Sequence, residues 1–142
     1  VYAISHSGRL VAIDLRTGAR VWDRSIGGSE TPWVAGNFIY VLSNQGDLYC
    51  LTRLGGRVRW VQSLPKYEDP EDKDGPIKWF GPVLASDRLM VVGNHGEVLS
   101  VSPYTGAFLS KLELTDKLSV APVVASGSVF FLSDDADLIV YR

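Results

Sequence analysis

Cysteine is all but missing from this chain of 142 residues, where Cys50 stands alone. A single thiol excludes an internal disulfide and any zinc or iron–sulfur site built from several thiolates. Histidine occurs twice, as His6 and His95. An excess of basic charge is lacking too. With 14 Lys+Arg against 16 Asp+Glu, the net charge of −2 removes the basic footprint of a nucleic-acid binder. No apolar run approaches the roughly 20 residues of a membrane-crossing helix. No secretory leader pattern opens the chain: Val1-Tyr2-Ala3-Ile4 reads as strand, and without Met it is expected to continue a longer sequence. What is present, 46% hydrophobic and 21% charged residues, suffices for a folded chain with a sizeable core.

Glycine marks a repeat. Ser7-Gly8, Gln45-Gly46 and His95-Gly96 are turn pairs, with Asp135-Ala136 as a degenerate fourth. Ten residues after each of the first three stands another glycine: Gly18, Gly56 and Gly106. Four residues further come Trp22 and Trp60, with Ser110 breaking the series. Pro32, Pro82 and Pro122 each precede the following turn by 14 residues. The intervals of 38, 50 and 40 residues between turns fit a four-stranded unit of roughly 40–50 residues, the middle one lengthened by about ten.

Every segment within a unit reads as strand. After the prolines come Trp33-Val34-Ala35, Val83-Leu84-Ala85 and Val123-Val124-Ala125, and after those Phe38–Leu42, Leu89–Val92 and Val129–Leu132. Beyond each turn lie Leu10–Ile13, Leu48–Leu51, Val98–Val101 and Leu138–Tyr141. The fourth strand ends in tryptophan where it is intact, at Arg20–Trp22 and Arg57–Trp60. These runs are short, β-branched or aromatic, and bounded by turn formers. Many are apolar on consecutive residues, the pattern of strands covered on both faces. No helical period is sustained.

The expected fold is all-β: a partial β-propeller of 3 + 4 + 4 + 3 strands, two complete blades flanked by two incomplete ones. The units are expected at about 1–28, 29–64, 80–115 and 116–142, with an insertion loop at 65–79. Such a piece fits the C-terminal half of a ring of about eight blades, its last blade completed by a strand from a distant N-terminus.

The run Ala12-Ile13-Asp14-Leu15-Arg16-Thr17-Gly18-Ala19-Arg20-Val21-Trp22 resembles the A-x-D-x-x-T-G-x-x-x-W docking motif of pyrroloquinoline-quinone (PQQ)-type propellers. In that motif Asp14, Thr17 and Gly18 would form the turn between third and fourth strands, and Trp22 would pack between blades. The second copy has Cys50, Thr52 and Gly55 for Ala, Asp and Thr but keeps Gly56 and Trp60, and the third keeps Thr105-Gly106. From Leu10–Gly18, through Asn37–Val41, to the ending Asp137–Arg142, the chain is similar to the BamB family, lipoprotein subunits of the outer-membrane β-barrel assembly machinery. That resemblance implies a non-catalytic periplasmic scaffold without cofactor. It would be tethered through an N-terminal lipid anchor absent from this chain. Its partners would be the periplasmic domains of the barrel-forming subunit and unfolded outer-membrane proteins. The family's best-known contact loops lie in blades before this region.

The competing reading is a fragment of a quinoprotein dehydrogenase, or a generic protein-binding propeller, since such folds host both. A quinone site needs calcium ligands, a catalytic Asp and commonly a Cys pair. Cys50 is single and replaces an Ala on a strand, and the turn role accounts for Asp14. His6 and His95 precede turn glycines in different units and read as turn residues, not ligands. No Gly-x-Ser-x-Gly elbow or phosphate-binding glycine loop occurs. Outside the repeat lies Leu64–Trp79, with five acids, three lysines and three prolines. Its acids miss the spacing of a calcium loop. It reads as a solvated connection or as a partner-contact loop presenting Tyr67, Glu68, Asp69, Glu71, Asp72, Asp74 and Trp79. Trp22 and Trp60 are expected to be buried between blades, Trp33 or Trp79 to be more exposed. The apolar faces of the two terminal blades are expected to support a homodimer.

Overall fold

A computed structural model describes residues 1–114, 117–125 and 127–141. The chain meanders through small antiparallel sheets. Unit 1 is a three-stranded sheet of β1 (Tyr2–Ser5), β2 (Arg9–Ile13) and β3 (Arg20–Arg24). Unit 2 has four strands: β4 (Trp33–Ala35), β5 (Phe38–Leu42), β6 (Asp47–Thr52) and β7 (Val58–Ser63). A separate hairpin follows, β8 (Tyr67–Asp69) and β9 (Asp74–Pro76). Unit 3 is again four-stranded, with β10 (Trp79–Ala85), β11 (Arg88–Gly93), β12 (Glu97–Val101) and β13 (Phe108–Glu113). Unit 4 holds β14 (Val123–Ala125), β15 (Ser128–Leu132) and β16 (Leu138–Tyr141). This is a partial propeller, two whole blades between two incomplete ones.

The repeat is visible in the register. Tyr2, Ala12 and Trp22 stand side by side across β1–β3, as do Tyr40, Cys50 and Trp60 across β5–β7 and Met90, Ser100 and Ser110 across β11–β13. A bulge follows the middle residue of each triplet, between Ala12 and Ile13, Cys50 and Leu51, and Ser100 and Val101. The extra residue, Val21, Arg59 or Leu109, re-aims the outer strand three residues past the turn glycine.

Each blade buries one face against the next, and the apolar clusters are these contacts. Leu10, Ala12, Trp22 and Ile26 of unit 1 meet Ile39, Val41 and Leu51 of unit 2. Tyr40, Leu42, Leu48 and Cys50 of unit 2 meet Leu89, Val91, Leu99 and Val101 of unit 3. Val92 and Val98 of unit 3 meet Phe131 of unit 4, with Leu118 from the connection between the two units. Strands covered on both sides explain why the apolar runs do not alternate.

Two expectations change. The insertion is not an irregular loop: it folds as the β8–β9 hairpin. The innermost strand of unit 3 starts at Trp79, because Trp79 and Phe80 pair with Gly93 and Val92. Pro82, which has no N–H to give, falls within the register shift between Phe80 and Val83. The expected limit between units 3 and 4, at residues 115 and 116, and the terminal Arg142 lie outside the described residues.

Candidate functional site

Of the expected docking residues, Trp22 meets Gly56 and Trp60 meets Gly106 between blades, with Ala12 buried beside Trp22, while Asp14, Thr17 and Gly18 form a turn of unit 1 on which no described residue packs. In unit 1, Asp14 accepts the Arg16 N–H at 2.8 Å through its carboxylate and the Gly18 N–H at 2.8 Å through its carbonyl. Thr17 Oγ1 accepts the Ala19 N–H at 3.2 Å. These bonds close the turn and return the chain into β3, where Trp22 faces the next unit. The indole of Trp22 lies against Gly56, where an added Cβ would sit 2.6 Å from the ring, and donates to the Arg53 carbonyl at 2.7 Å. The indole of Trp60 repeats this on Gly106, with the same 2.6 Å approach, and donates to the Pro103 carbonyl at 3.0 Å. Gly56 and Gly106 have φ of 63° and 79°, so glycine serves both the turn and the close approach. Tyr2 and Tyr40 tilt against the two indoles at centroid distances of 5.9 and 6.2 Å. Ala12 is buried between its two aromatic neighbours.

A second point of attachment escaped the sequence reading. Two residues beyond each tryptophan, a long polar side chain reaches the same glycine: Arg24 Nε donates to the Gly56 carbonyl and Gln62 Nε2 to the Gly106 carbonyl, both at 2.7 Å. Arg24 also donates to the Gly55 carbonyl at 2.8 Å. The signal was present as a polar residue at Trp+2 in both copies, but a charged or amide side chain on an outer strand reads as ordinary surface. Arg24 explains a departure from expectation as well. Its guanidinium lies 5.8 Å from the Trp22 ring centre and helps cover it. Gln62 provides no such lid, and Trp60 is only half-buried while Trp22 is buried.

The β8–β9 hairpin stands where unit 2 passes into unit 3. Its register pairs Tyr67 with Pro76 and Asp69 with Asp74. Asp69 Oδ1 accepts the N–H groups of Glu71 and Asp72 at 3.2 and 3.3 Å, shaping the tip. Glu68, Asp69, Glu71, Asp72 and Asp74 are exposed and Tyr67 is partly so. Trp79 is not a surface contact: it is buried, packs edge-on against His95 at 5.7 Å, and donates to the Pro65 carbonyl at 2.7 Å. Pairing in β10 turns it inward, where it anchors the hairpin base. Lys66 Nζ adds a bond to the Gln45 carbonyl at 2.6 Å. Between this base and the turns of units 1 and 2 opens a cleft of about 470 Å³, lined among others by His6, Glu30, Asn44, Tyr67 and Lys78.

The chemistry elsewhere is quiet. Cys50 is buried, and desolvation pushes its thiol up to about 11, away from the thiolate that nucleophilic or redox work requires. His6 lies at the turn before Gly8, and His95 sits 3.5 Å from Glu97 in another unit. Among the described residues no three His, Cys, Asp or Glu side chains are grouped to hold a metal ion. A pyrroloquinoline quinone with its calcium therefore does not fit the residues described, since neither a carboxylate cluster nor a Cys pair is there to receive it. Among the same residues no helix is long and apolar enough to cross a membrane.

Comparison with known proteins follows the same line. A family model described as outer membrane protein assembly factor BamB matches residues 1–62. The curated BamB of Escherichia coli K12 is 27% identical over 136 residues, covering 95% of this chain and 32% of that protein. The chain thus spans about a third of the length of such relatives. The crystal structure of BamB from Moraxella catarrhalis superposes with a TM-score of 0.75 at 20% identity, covering 99% of this chain and 42% of that one. A quinohemoprotein alcohol dehydrogenase from Comamonas testosteroni shares the fold, with a TM-score of 0.64 at 17% identity over 79% of this chain and 19% of that one. In repeat, in blade-to-blade docking and in these likenesses, the chain is a partial β-propeller that resembles BamB.

Proposed function

We propose that the chain is part of a non-catalytic protein-binding scaffold that serves outer-membrane β-barrel assembly on the periplasmic side, with the β8–β9 hairpin as its contact element. The observation that carries this reading is the hairpin itself. It is the insertion the repeat does not require, it is fastened through Trp79 and Lys66, and it presents five exposed carboxylates beside the cleft. A rigid scaffold with one added, well-anchored element is the usual arrangement for recognition. The likeness to BamB supplies the process, and the inert Cys50 supports a role without chemistry. The partner is a protein face with basic residues, the expected one being the periplasmic domains of the barrel-forming subunit.

Biolayer interferometry against those domains tests the proposal. Replacing Glu68, Asp69, Glu71, Asp72 and Asp74 by their amide counterparts removes the charge and keeps the shape. Binding should weaken by at least about fivefold and lose most of its salt dependence. Unchanged affinity would contradict the assignment of the hairpin.

A further inference from the structure

The two ends of the strands differ in charge. Strand β6 runs from the Gly46 turn, where Asp47 pairs with Ser63, to the turn into β7, where Leu51 pairs with Val58. The β8–β9 hairpin and its carboxylates lie at the first end, since the Leu64 N–H donates to the Gly46 carbonyl at 2.9 Å. At the second end the strands and their turns gather Arg16, Arg20, Arg53, Arg57, Arg59 and Arg88 against Asp14, Asp23 and Asp87. Asp23 is already shared by Arg9 and Arg20 at 2.8 and 3.0 Å, and Asp87 accepts the Tyr104 hydroxyl at 3.2 Å. Leu54 and Tyr104 hold the same place in units 2 and 3, two residues before Gly56 and Gly106. They are 92% and 73% exposed, although both units have a neighbouring blade on either side. Arg57 and Arg59 follow Leu54 in the chain and are exposed too.

We propose that this arginine-rich end docks on an anionic lipid surface, with Leu54 and Tyr104 entering the boundary between headgroups and acyl chains. A leucine on the tip of a projecting turn has no pocket of its own. A flat, deformable surface accepts it where a folded partner would need a matching hollow. Guanidinium groups meet lipid phosphates through paired N–H donors and reach them along their aliphatic stems. A tyrosine sits at headgroup level with its ring in the boundary and its hydroxyl in water. Charge then sets the orientation. The hairpin carboxylates stand at the far end and are repelled by the same lipids, so the hairpin points away from the membrane. An acidic protein would suit the arginines equally well but gives the exposed Leu54 nothing to do. The surface uses no residue of the hairpin, so it stands or falls apart from the hairpin contact.

Flotation of the full chain with lipid vesicles tests this. Phosphatidylcholine vesicles with about 30% phosphatidylglycerol should carry the chain, and pure phosphatidylcholine should not. Binding should weaken as salt screens the arginines. Arg57→Gln together with Arg59→Gln should weaken it by about tenfold or more, and Leu54→Ser by about fivefold. If the arginine pair variant fails to fold, Leu54→Ser and the salt series still decide. Amide replacement of the five hairpin acids should leave vesicle binding as tight or tighter, which separates this surface from the hairpin contact. Absence of binding to the anionic vesicles, or equal binding to both lipids, would overturn the inference. So would unchanged binding by Leu54→Ser. Poly-L-glutamate bound through Arg57 and Arg59, with anionic vesicles left unbound, would assign the face to an acidic protein and overturn it as well.

Discussion

The contacts between units 1, 2 and 3 and the contact between units 3 and 4 join the same kind of blades by different means. In the first two an indole from the outer strand rests on a turn glycine of the next blade, fixed by its N–H and by a polar side chain two residues on. In the third, Ser110 replaces the tryptophan, and a ring comes from the opposite side. Phe131 stands on the receiving blade where units 2 and 3 have Val41 and Val91, and it packs against Val92, Val98 and Leu118. The ring has moved across the interface. The repeat therefore preserves filled space between blades more strictly than it preserves the residue that fills it.

The largest effect that sharpens this contrast is expected at Trp22. Trp22→Ala removes a buried ring and orphans the Arg53 carbonyl, and should cost about 3–5 kcal/mol in denaturant unfolding. Hydrogen exchange should show the lost protection in units 1 and 2. Phe131→Ala should cost about 3 kcal/mol, with the loss confined to units 3 and 4. An effect of Phe131→Ala spread evenly over the chain would break the distinction between the two contacts.

A smaller effect separates the two indole contacts from each other. Cys50 lies between Tyr40 and Trp60, where unit 1 has Ala12. Burial raises its thiol from 9.0 to about 11, and the neighbouring Tyr40 from 10.0 to about 12, burial again being the main cause. Between pH 9 and 11 the unfolded chain releases the thiol proton and the folded chain holds it, so stability is full below about 9 and falls as pH rises through about 11. Cys50→Ala should flatten that alkaline slope, leaving the part due to Tyr40. An identical slope in Cys50→Ala would show that the thiol does not contribute. The smallest effect is expected for Ser110→Trp. Its neighbourhood in β13 is exposed, so stability should stay within about 0.5 kcal/mol.

Much of this was legible in spacing. Glycines ten residues past each turn, tryptophans four beyond, and prolines ahead of the next turn pointed to two whole blades between two incomplete ones and to the Trp22 and Trp60 contacts, because blade geometry ties turn position to packing position. Three things were not. The insertion folds as a hairpin through backbone pairing that composition does not reveal, its acids and prolines reading equally well as a loop. Trp79 turns inward because β10 starts early, a matter of register with β11. Arg24 and Gln62 reach a carbonyl of the next blade, and a hydrogen bond to backbone 32 or 44 residues away leaves no mark in local pattern.

The central claim is that tryptophan on glycine holds successive blades together, and a double-mutant cycle between Trp22 and Gly56 tests it most directly. Gly56→Ala alone places a methyl 2.6 Å from the Trp22 ring and strains a φ of 63°. In the Trp22→Ala background only the strain remains. The cost of Gly56→Ala should therefore fall by about 1 kcal/mol or more when Trp22 is absent. Equal costs in both backgrounds would mean that ring and glycine do not act on each other, and would contradict the account.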